Sequence, residues 1–144
     1  MSRPPAPTRA DFGWWDSINT RWNDNDIFGH MNNAVYFELM DTAVNNQLVE
    51  ACGRPVEEMP AIGVVAEVSC RYLREMRYPG TIEIGIAVTK VGNASIHYKV
   101  GLFQGPGDEA AAEGRFVHVY VDSLTREVTR IPEVIRDSAA DLLR

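Results

Sequence analysis

The spacing of hydrophobic residues changes along the chain, and the change predicts two kinds of element. Between residues 34 and 52, apolar side chains recur at every third or fourth position, which is typical of a helix with a broad buried face. Asn32 or Asn33 is placed to cap the start of this helix. Gly53 and Pro55 end it. The apolar face consists of Tyr36, Phe37, Leu39, Met40, Ala43, Val44 and Leu48.

Beyond this helix the hydrophobic period becomes two, the spacing of strands that bury one face. Turn sequences rich in Gly, Pro, Asn and Asp separate the runs. The predicted strands cover residues 64–73, 82–88, 96–102 and 115–121, and a run at 12–22 predicts an earlier first strand. A short extension at 127–131 and a final helix at about 132–144 follow. One apolar helix with antiparallel strands predicts an α+β fold in which a strongly curved sheet wraps the helix.

The size and composition of the chain predict one folded domain. A length of 144 residues with 45% hydrophobic and 24% charged residues is ordinary for a single globular domain. Residues 1–10 hold three prolines and two arginines without an apolar run, so we expect a loose leader and no secretory signal. No segment approaches the roughly 20 apolar residues of a membrane-spanning helix.

Charge and cysteine content narrow the possible partners. The net charge of −6 argues against nucleic acid, because phosphate binding needs a basic protein face. The two cysteines, Cys52 and Cys70, lack the spacing of metal ligands and are too few for a disulfide scaffold. A reduced, cytoplasmic compartment is the simplest interpretation.

The polar segment at 23–33 carries the candidate chemistry. It is dense in Asn, Asp, Gly and His, which favour loops because their side chains bond to nearby backbone. Its Asp-x-Asp pair does not form a calcium loop, since Phe28 and Val35 occupy positions that need oxygen ligands. The Gly-x-Ser-x-Gly elbow of serine hydrolases and the glycine-rich loops of nucleotide-binding proteins do not occur. Neither a metal nor a cofactor is implied.

Residues 21–36 closely resemble the motif of 4-hydroxybenzoyl-CoA thioesterase-like hotdog proteins. The shared pattern is Asp-x-Asp, two residues, Gly-His, an Asn-rich helix start and then Tyr. A Tyr-Pro-Gly turn at 78–80 and a Gly-Asn-Ala-Ser turn at 92–95 are also similar, so the resemblance spans about residues 20–132. It implies a hotdog fold, with a curved antiparallel sheet around one central helix, and hydrolysis of an acyl-CoA thioester to free acid and CoA.

The resemblance also implies roles for individual residues. Asp26 would be the catalytic carboxylate, and the backbone N–H of Asn33 would polarise the thioester carbonyl. A helix N-terminus suits a developing oxyanion, because its N–H groups are unpaired and carry partial positive charge. The carboxylate could attack the carbonyl or activate a water, and both routes stay open. Substrate contacts are expected from Gly29, His30, Asn32, Tyr36, Lys90 and Ser95.

Several of these residues have structural roles as alternatives. Asp26 could bond its own loop backbone, as loop aspartates commonly do. Asp24 is expected to orient the loop or to pair with Arg21. His30 could donate to the carbonyl, but anchoring of the loop against a partner subunit is the favoured role. Asn32 could be the helix cap or a substrate contact.

The remaining expectations concern the residues around the acyl chain and the CoA part of the substrate. Tyr36 would pack beneath the reacting group, and the acyl chain would lie beside the helix near Phe37 and Met40. The phosphates of CoA favour basic residues at the pocket mouth, although each could equally be a solvated charge at a strand end. The candidates are Arg71, Arg74 and Arg77, with Lys90 and Lys99 flanking the 92–95 turn.

We expect a homodimer with its site at the subunit interface, or a homotetramer made by doubling the dimer. Two other functions remain as alternatives. One is a hotdog hydratase or dehydratase, which uses an Asp–His pair, although its signature differs from the Gly-His-Met-Asn-Asn run. The other is a non-catalytic module that binds acyl-CoA or an acyl carrier protein.

Overall fold

A computed structural model describes residues 4–144 and contains five strands, two α-helices and three short 3-10 turns in that range. All strand pairings are antiparallel, and the strands form one sheet in the order β1-β3-β4-β5-β2. The elements are β1 (Trp14–Asn19), α1 (Asn33–Cys52), β2 (Ala61–Tyr72), β3 (Thr81–Val91), β4 (Ser95–Gln104), β5 (Ala112–Asp122) and α2 (Glu133–Asp141).

Local sequence signals set the two ends of α1. The Asn32 side chain accepts a hydrogen bond from the Ala34 N–H at 2.9 Å, so Asn32 is the N-cap. At the other end Gly53 adopts a left-handed conformation with φ 65°, and its N–H donates to the Val49 carbonyl. The helix therefore begins one residue before the predicted start and ends at the predicted residue.

The sheet curves around the apolar face of α1. A Cβ at Gly114 in β5 would overlap the sulfur of Met40, so the glycine lets sheet and helix approach closely. Residues of α1 share one buried core with β3, β4 and β5, and α2 closes one end of it. This arrangement confirms the predicted α+β hotdog fold. The buried residues of α1 are Tyr36, Leu39, Met40, Ala43, Val44, Gln47 and Leu48.

Strand β2 forms one edge of the sheet and pairs with β5 alone among residues 4–144. A bulge interrupts its register between Val65 and Glu67. Val64, Val65 and Val68 remain 39%, 49% and 41% exposed. The edge therefore presents unpaired backbone groups together with apolar side chains, a combination that natural proteins usually cover.

The N-terminal segment was expected to be a loose leader. Residues 1–3 of the predicted loose leader lie outside the described residues. From Pro7 onward the chain is anchored, because the Ala110 N–H donates to the Pro7 carbonyl at 2.9 Å. The Arg9 guanidinium donates to the carbonyls of Gly105 and Gly107, both at 3.1 Å. Residues 7–10 therefore make long-range contacts that their composition does not predict.

Other boundaries also shift. The first strand covers only Trp14–Asn19, because Phe12 turns away to pack on Phe103 and Trp22 belongs to a 3-10 turn. The extension expected at 127–131 is a single bridge between Val121 and Val128. The final helix ends at Asp141.

Candidate active site

Asp24 anchors the loop that leads into α1. Its buried carboxylate accepts from Nε and Nη2 of Arg21 at 3.1 and 2.9 Å and from the Arg21 N–H at 2.7 Å. Its own carbonyl accepts from the Asn32 N–H at 2.8 Å. The hydrogen bond to Asp24 raises the pKa of Arg21 above its ordinary value. The expected pairing of Asp24 with Arg21 is confirmed, and the pair fixes the position of the helix cap.

Asp26 lies in a tight turn two residues later. Its N–H donates to the His30 carbonyl at 2.9 Å, and its Oδ1 accepts from the Phe28 N–H at 2.8 Å. Gly29 completes the turn with φ 84°, a conformation that favours glycine. The structural role considered for Asp26 is therefore present, but it uses only Oδ1. Within the described residues, Oδ2 accepts no hydrogen bond.

His30 lies between two carboxylates. Its Nδ1 is 3.8 Å from Oδ2 of Asp26, and its Nε2 is 3.9 Å from Oε1 of Glu75. The imidazole also stacks on the ring of Phe28 with a centroid distance of 6.2 Å. Glu75 was not identified from the sequence, because it follows a strand end far from the motif. Only the folded chain, in which the end of β2 lies next to the start of α1, brings Glu75 beside His30.

The first turn of α1 leaves one backbone donor free. The Ala34 N–H donates to the side chain of Asn32, and the Val35 N–H donates to the Asn32 carbonyl at 3.0 Å. The N–H of Asn33 has no acceptor among residues 4–144. The helix cap thus pairs the N–H groups of Ala34 and Val35 and leaves the Asn33 N–H available to a ligand.

A cavity of about 230 Å³ opens at this free donor. The Asp26 turn borders a neighbouring cavity of about 380 Å³ with Trp22 and Ile27. His30 lines the first cavity while facing the carboxylate of Asp26. The residues that line the first cavity are His30, Met31, Asn33, Tyr36, Tyr72, Leu73, Arg74 and Glu75.

Two tyrosines line the first cavity, and the Cys70 thiol lies near both of them. Tyr36 is buried and meets the ring of Tyr72 edge-on, with a centroid distance of 4.8 Å. The Tyr72 hydroxyl donates to the Asn33 carbonyl at 3.2 Å. Burial raises the pKa of the Cys70 thiol to about 11, so this thiol stays protonated near neutral pH and is a poor nucleophile.

The structure brings six of the eight predicted site residues together at the start of α1, namely Asp26, Gly29, His30, Asn32, Asn33 and Tyr36. Lys90 and Ser95 lie elsewhere. The connection before β3 contacts the Asp26 loop, since the Tyr78 N–H donates to the Asn25 side chain at 2.9 Å. Lys90 lies near the other end of β3, about 30 Å away at roughly 3.3 Å per residue. Within one chain these two residues cannot reach the site.

The basic residues expected at the pocket mouth make different contacts. Arg71 donates to the carbonyl of Pro4 at 2.7 Å and pairs with Glu113, so it holds the N-terminal segment. Arg74 donates to the Glu109 carbonyl and also lines the cavity at Asn33. Across residues 4–144, no cluster of three or more His, Cys, Asp or Glu could hold a metal ion. No described helix has the length and hydropathy to cross a membrane.

A curved sheet around one helix, with a free N–H and a carboxylate at the helix start, defines a hotdog protein of the thioesterase type. Residues 20–138 match the model of the thioesterase-like superfamily, and the chain belongs to this family.

Similar proteins share the fold over most of its length. The PA5185 protein of Pseudomonas aeruginosa strain PAO1 is 41% identical, with a TM-score of 0.92 over 96% of this chain and 97% of that chain. A chloroplastic acyl-acyl carrier protein thioesterase of Arabidopsis thaliana is 26% identical over 130 residues, 88% of this chain and 67% of the relative. A 1,4-dihydroxy-2-naphthoyl-CoA thioesterase from Synechocystis shares the fold at 11% identity, with a TM-score of 0.79 over 89% of this chain and 96% of that chain.

Proposed function

We propose that the protein hydrolyses an acyl-CoA thioester to a free acid and CoA. Membership of the thioesterase-like superfamily supports hydrolysis of acyl thioesters as the reaction type. One observation supports this site: the unpaired N–H of Asn33 opens into a cavity lined by His30, and Nδ1 of His30 lies 3.8 Å from Oδ2 of Asp26. An oxyanion donor and a nearby carboxylate match the two needs of acyl transfer.

In this proposal Asn33 supplies the oxyanion donor. The thioester carbonyl oxygen lies in the cavity of about 230 Å³ and accepts from the Asn33 N–H. As the carbonyl carbon becomes tetrahedral, its oxygen gains negative charge. The free N–H and the positive end of the α1 dipole stabilise that charge more than they stabilise the ground-state carbonyl.

Asp26 supplies the second half of the chemistry. The bond from the Phe28 N–H orients its carboxylate and leaves Oδ2 for the reaction. Two routes fit this role. In one, Oδ2 attacks the carbonyl carbon, CoA leaves as thiolate and water hydrolyses the resulting anhydride to the free acid. In the other, Oδ2 takes a proton from the water that attacks the carbonyl carbon, and the C–S bond breaks to release CoA as thiolate. Gly29, His30, Asn32 and Tyr36 would contact the substrate around the thioester.

A homodimer through the free edge of β2 would complete the site. The exposed valines and unpaired backbone of β2 favour pairing with β2 of a second chain across a two-fold axis. In an antiparallel pair the N-terminal end of one β2 lies beside the C-terminal end of the other. The Lys90 of the partner subunit and the Ser95 of the partner subunit then come to the end that carries Asp26. Doubling this dimer would give the tetramer.

The test is thiol release from a panel of acyl-CoAs by the wild type and Asp26→Asn. We expect kcat to fall by about 10²- to 10⁴-fold, the usual effect of losing a catalytic acid or base. Asp108→Asn, a change of an exposed carboxylate in the turn before β5, is the matched control. Equal rates in a folded Asp26→Asn protein would remove Asp26 from the mechanism.

The position of His30 beside Asp26 favours one alternative, a hydratase acting on an enoyl thioester. Hydration removes the enoyl absorbance without releasing thiol, so the same reactions distinguish the two activities. An acyl-carrier-protein thioester belongs in the panel as well, because the Arabidopsis relative is named for that substrate. Binding without turnover of any thioester would favour a non-catalytic module.

A further inference from the structure

Tyr72 is the last residue of β2 and reaches the start of α1 from another layer of the fold. Its hydroxyl donates to the Asn33 carbonyl at 3.2 Å. Its ring packs edge-on against buried Tyr36 at an interplanar angle of 79°. A strand therefore contacts the first turn of the helix twice, through a hydrogen bond to Asn33 and a ring contact with Tyr36.

The hydrogen bonds around Asn33 fix both of its peptide groups. The peptide group before Asn33 is held by the Val35 N–H, which donates to the Asn32 carbonyl. Besides the helical bond to the Asn33 carbonyl, the peptide group after Asn33 is held by two bonds, one from the Ala34 N–H to the Asn32 side chain and one from the Tyr72 hydroxyl. Of these bonds, those to Asn32 come from the helix and its own cap. Tyr72 contributes the bond that ties this turn to the sheet.

We propose that Tyr72 is a positioning residue, which aims the free Asn33 N–H at the substrate carbonyl by holding the Asn33 carbonyl from the opposite side. The inference rests on the proposed function, in which that N–H is the oxyanion donor. An oxyanion donor works only when it is held in place before the charge develops, because reorientation during the reaction costs free energy. The Tyr72 phenol suits this role, since a phenol is protonated near neutral pH and can donate, and burial raises its pKa further.

Tyr72→Phe removes the hydroxyl and keeps the ring contact with Tyr36. We expect kcat for acyl-CoA hydrolysis to fall about fivefold to tenfold, the effect of one ordinary hydrogen bond. KM should stay within about twofold, because the bond acts in the transition state and not in binding. Tyr78→Phe is the matched control, since Tyr78 lies in the neighbouring connection and its ring, which meets Trp22, is retained. The control should keep the wild-type kcat.

A readout independent of turnover separates this inference from the proposed function. The carbonyl ¹³C and amide ¹⁵N resonances of Asn33 should shift in Tyr72→Phe and not in Tyr78→Phe. Amide exchange in the first turn of α1 should become faster, while the melting temperature and the oligomeric state stay unchanged. A protein without any thioesterase activity would overturn the proposed function, yet these resonances would still decide whether Tyr72 positions Asn33.

Three results would overturn the inference. The first is an Asn33 resonance that does not move in Tyr72→Phe. The second is a shifted resonance with an unchanged kcat in an active enzyme. The third is a loss of kcat that comes with an equal rise in KM and a lower melting temperature, which would assign Tyr72 a role in stability alone.

Discussion

Unpaired polar groups lie near both halves of α1, but in different surroundings. At its start, the cap, the Arg21–Asp24 pair and Tyr72 satisfy the polar groups and leave the Asn33 N–H free beside an open cavity. Near its C-terminal half, the buried side chains of Tyr98, His118 and Tyr120 hold polar atoms without hydrogen-bond partners in the described residues. These three belong to β4 and β5 and lie close together, with the rings of Tyr98 and His118 5.3 Å apart.

The comparison distinguishes an unpaired polar group that can take part in function from one that lowers the stability of the fold. An unpaired donor beside a cavity can bind water or substrate and costs little free energy. An unpaired polar atom in the core loses its hydration and costs about 1–3 kcal/mol. We therefore expect changes at the start of α1 to alter activity, and changes at the Tyr98–His118–Tyr120 cluster to alter stability.

Among the changes that test this comparison, the largest effect is expected from Asn33→Pro. Asn33 is the first helical residue, where proline is tolerated because the N–H at this position donates no helical hydrogen bond. Asn32 already has the extended conformation that precedes proline, with φ −62° and ψ 138°. The change removes the proposed oxyanion donor, so kcat should fall by about 10²- to 10³-fold. Steady-state hydrolysis by a protein of unchanged helicity is the measurement.

Asn33→Ala is the control for that change. It removes the side chain and keeps the N–H, so its kcat should stay within about threefold of the wild type. Similar losses of kcat in both variants would show that the Asn33 side chain, and not its N–H, acts in the reaction.

A second prediction concerns the anchor of the loop. Asp24→Asn weakens three charge-assisted bonds from Arg21, one of them from its backbone. The free energy of unfolding should fall by about 1–2 kcal/mol, because the bonds to the buried Asp24 carboxylate weaken while solvent screens the exposed Arg21 side chain. Urea denaturation gives this value. An unchanged midpoint would mean that the cap is held without this pair.

The third prediction is a pH dependence of stability set by His118. Burial lowers its pKa below the ordinary value of 6.5, although Asp41 partly opposes the shift. Below pH 6.5 the unfolded chain therefore binds a proton that the folded chain resists, so stability falls as the pH decreases. Urea midpoints between pH 7.5 and 5 should decline more steeply for the wild type than for His118→Leu. Parallel curves would contradict the assignment.

The smallest effect is expected from Tyr120→Phe. It removes a buried hydroxyl that lacks a partner, so the free energy of unfolding should rise by about 1 kcal/mol. Thermal unfolding measures the change, and kcat should stay at the wild-type value. Destabilisation would mean that the Tyr98 and Tyr120 hydroxyls bond to each other, and the contrast between the two ends of α1 would weaken.

The sequence by itself determined the elements and the local chemistry of the loop. The period of three to four residues, the Asn32 cap and Gly53 locate α1 to within one residue, because these signals act between neighbours along the chain. The period of two identifies β2 to β5 for the same reason. The pairing of Asp24 with Arg21 was also predictable, since three residues separate them.

Only the tertiary structure decided which distant residues meet. The strand order places β2 at the edge, Tyr72 on Asn33 and Glu75 beside His30, and it sends Lys90 to the far end of the sheet. The N-terminal segment is likewise fixed by Ala110, about a hundred residues away along the chain. Hydrophobic periodicity reports which face of an element is buried, but not which strand lies next to it. That choice depends on register and packing between segments that are far apart in sequence.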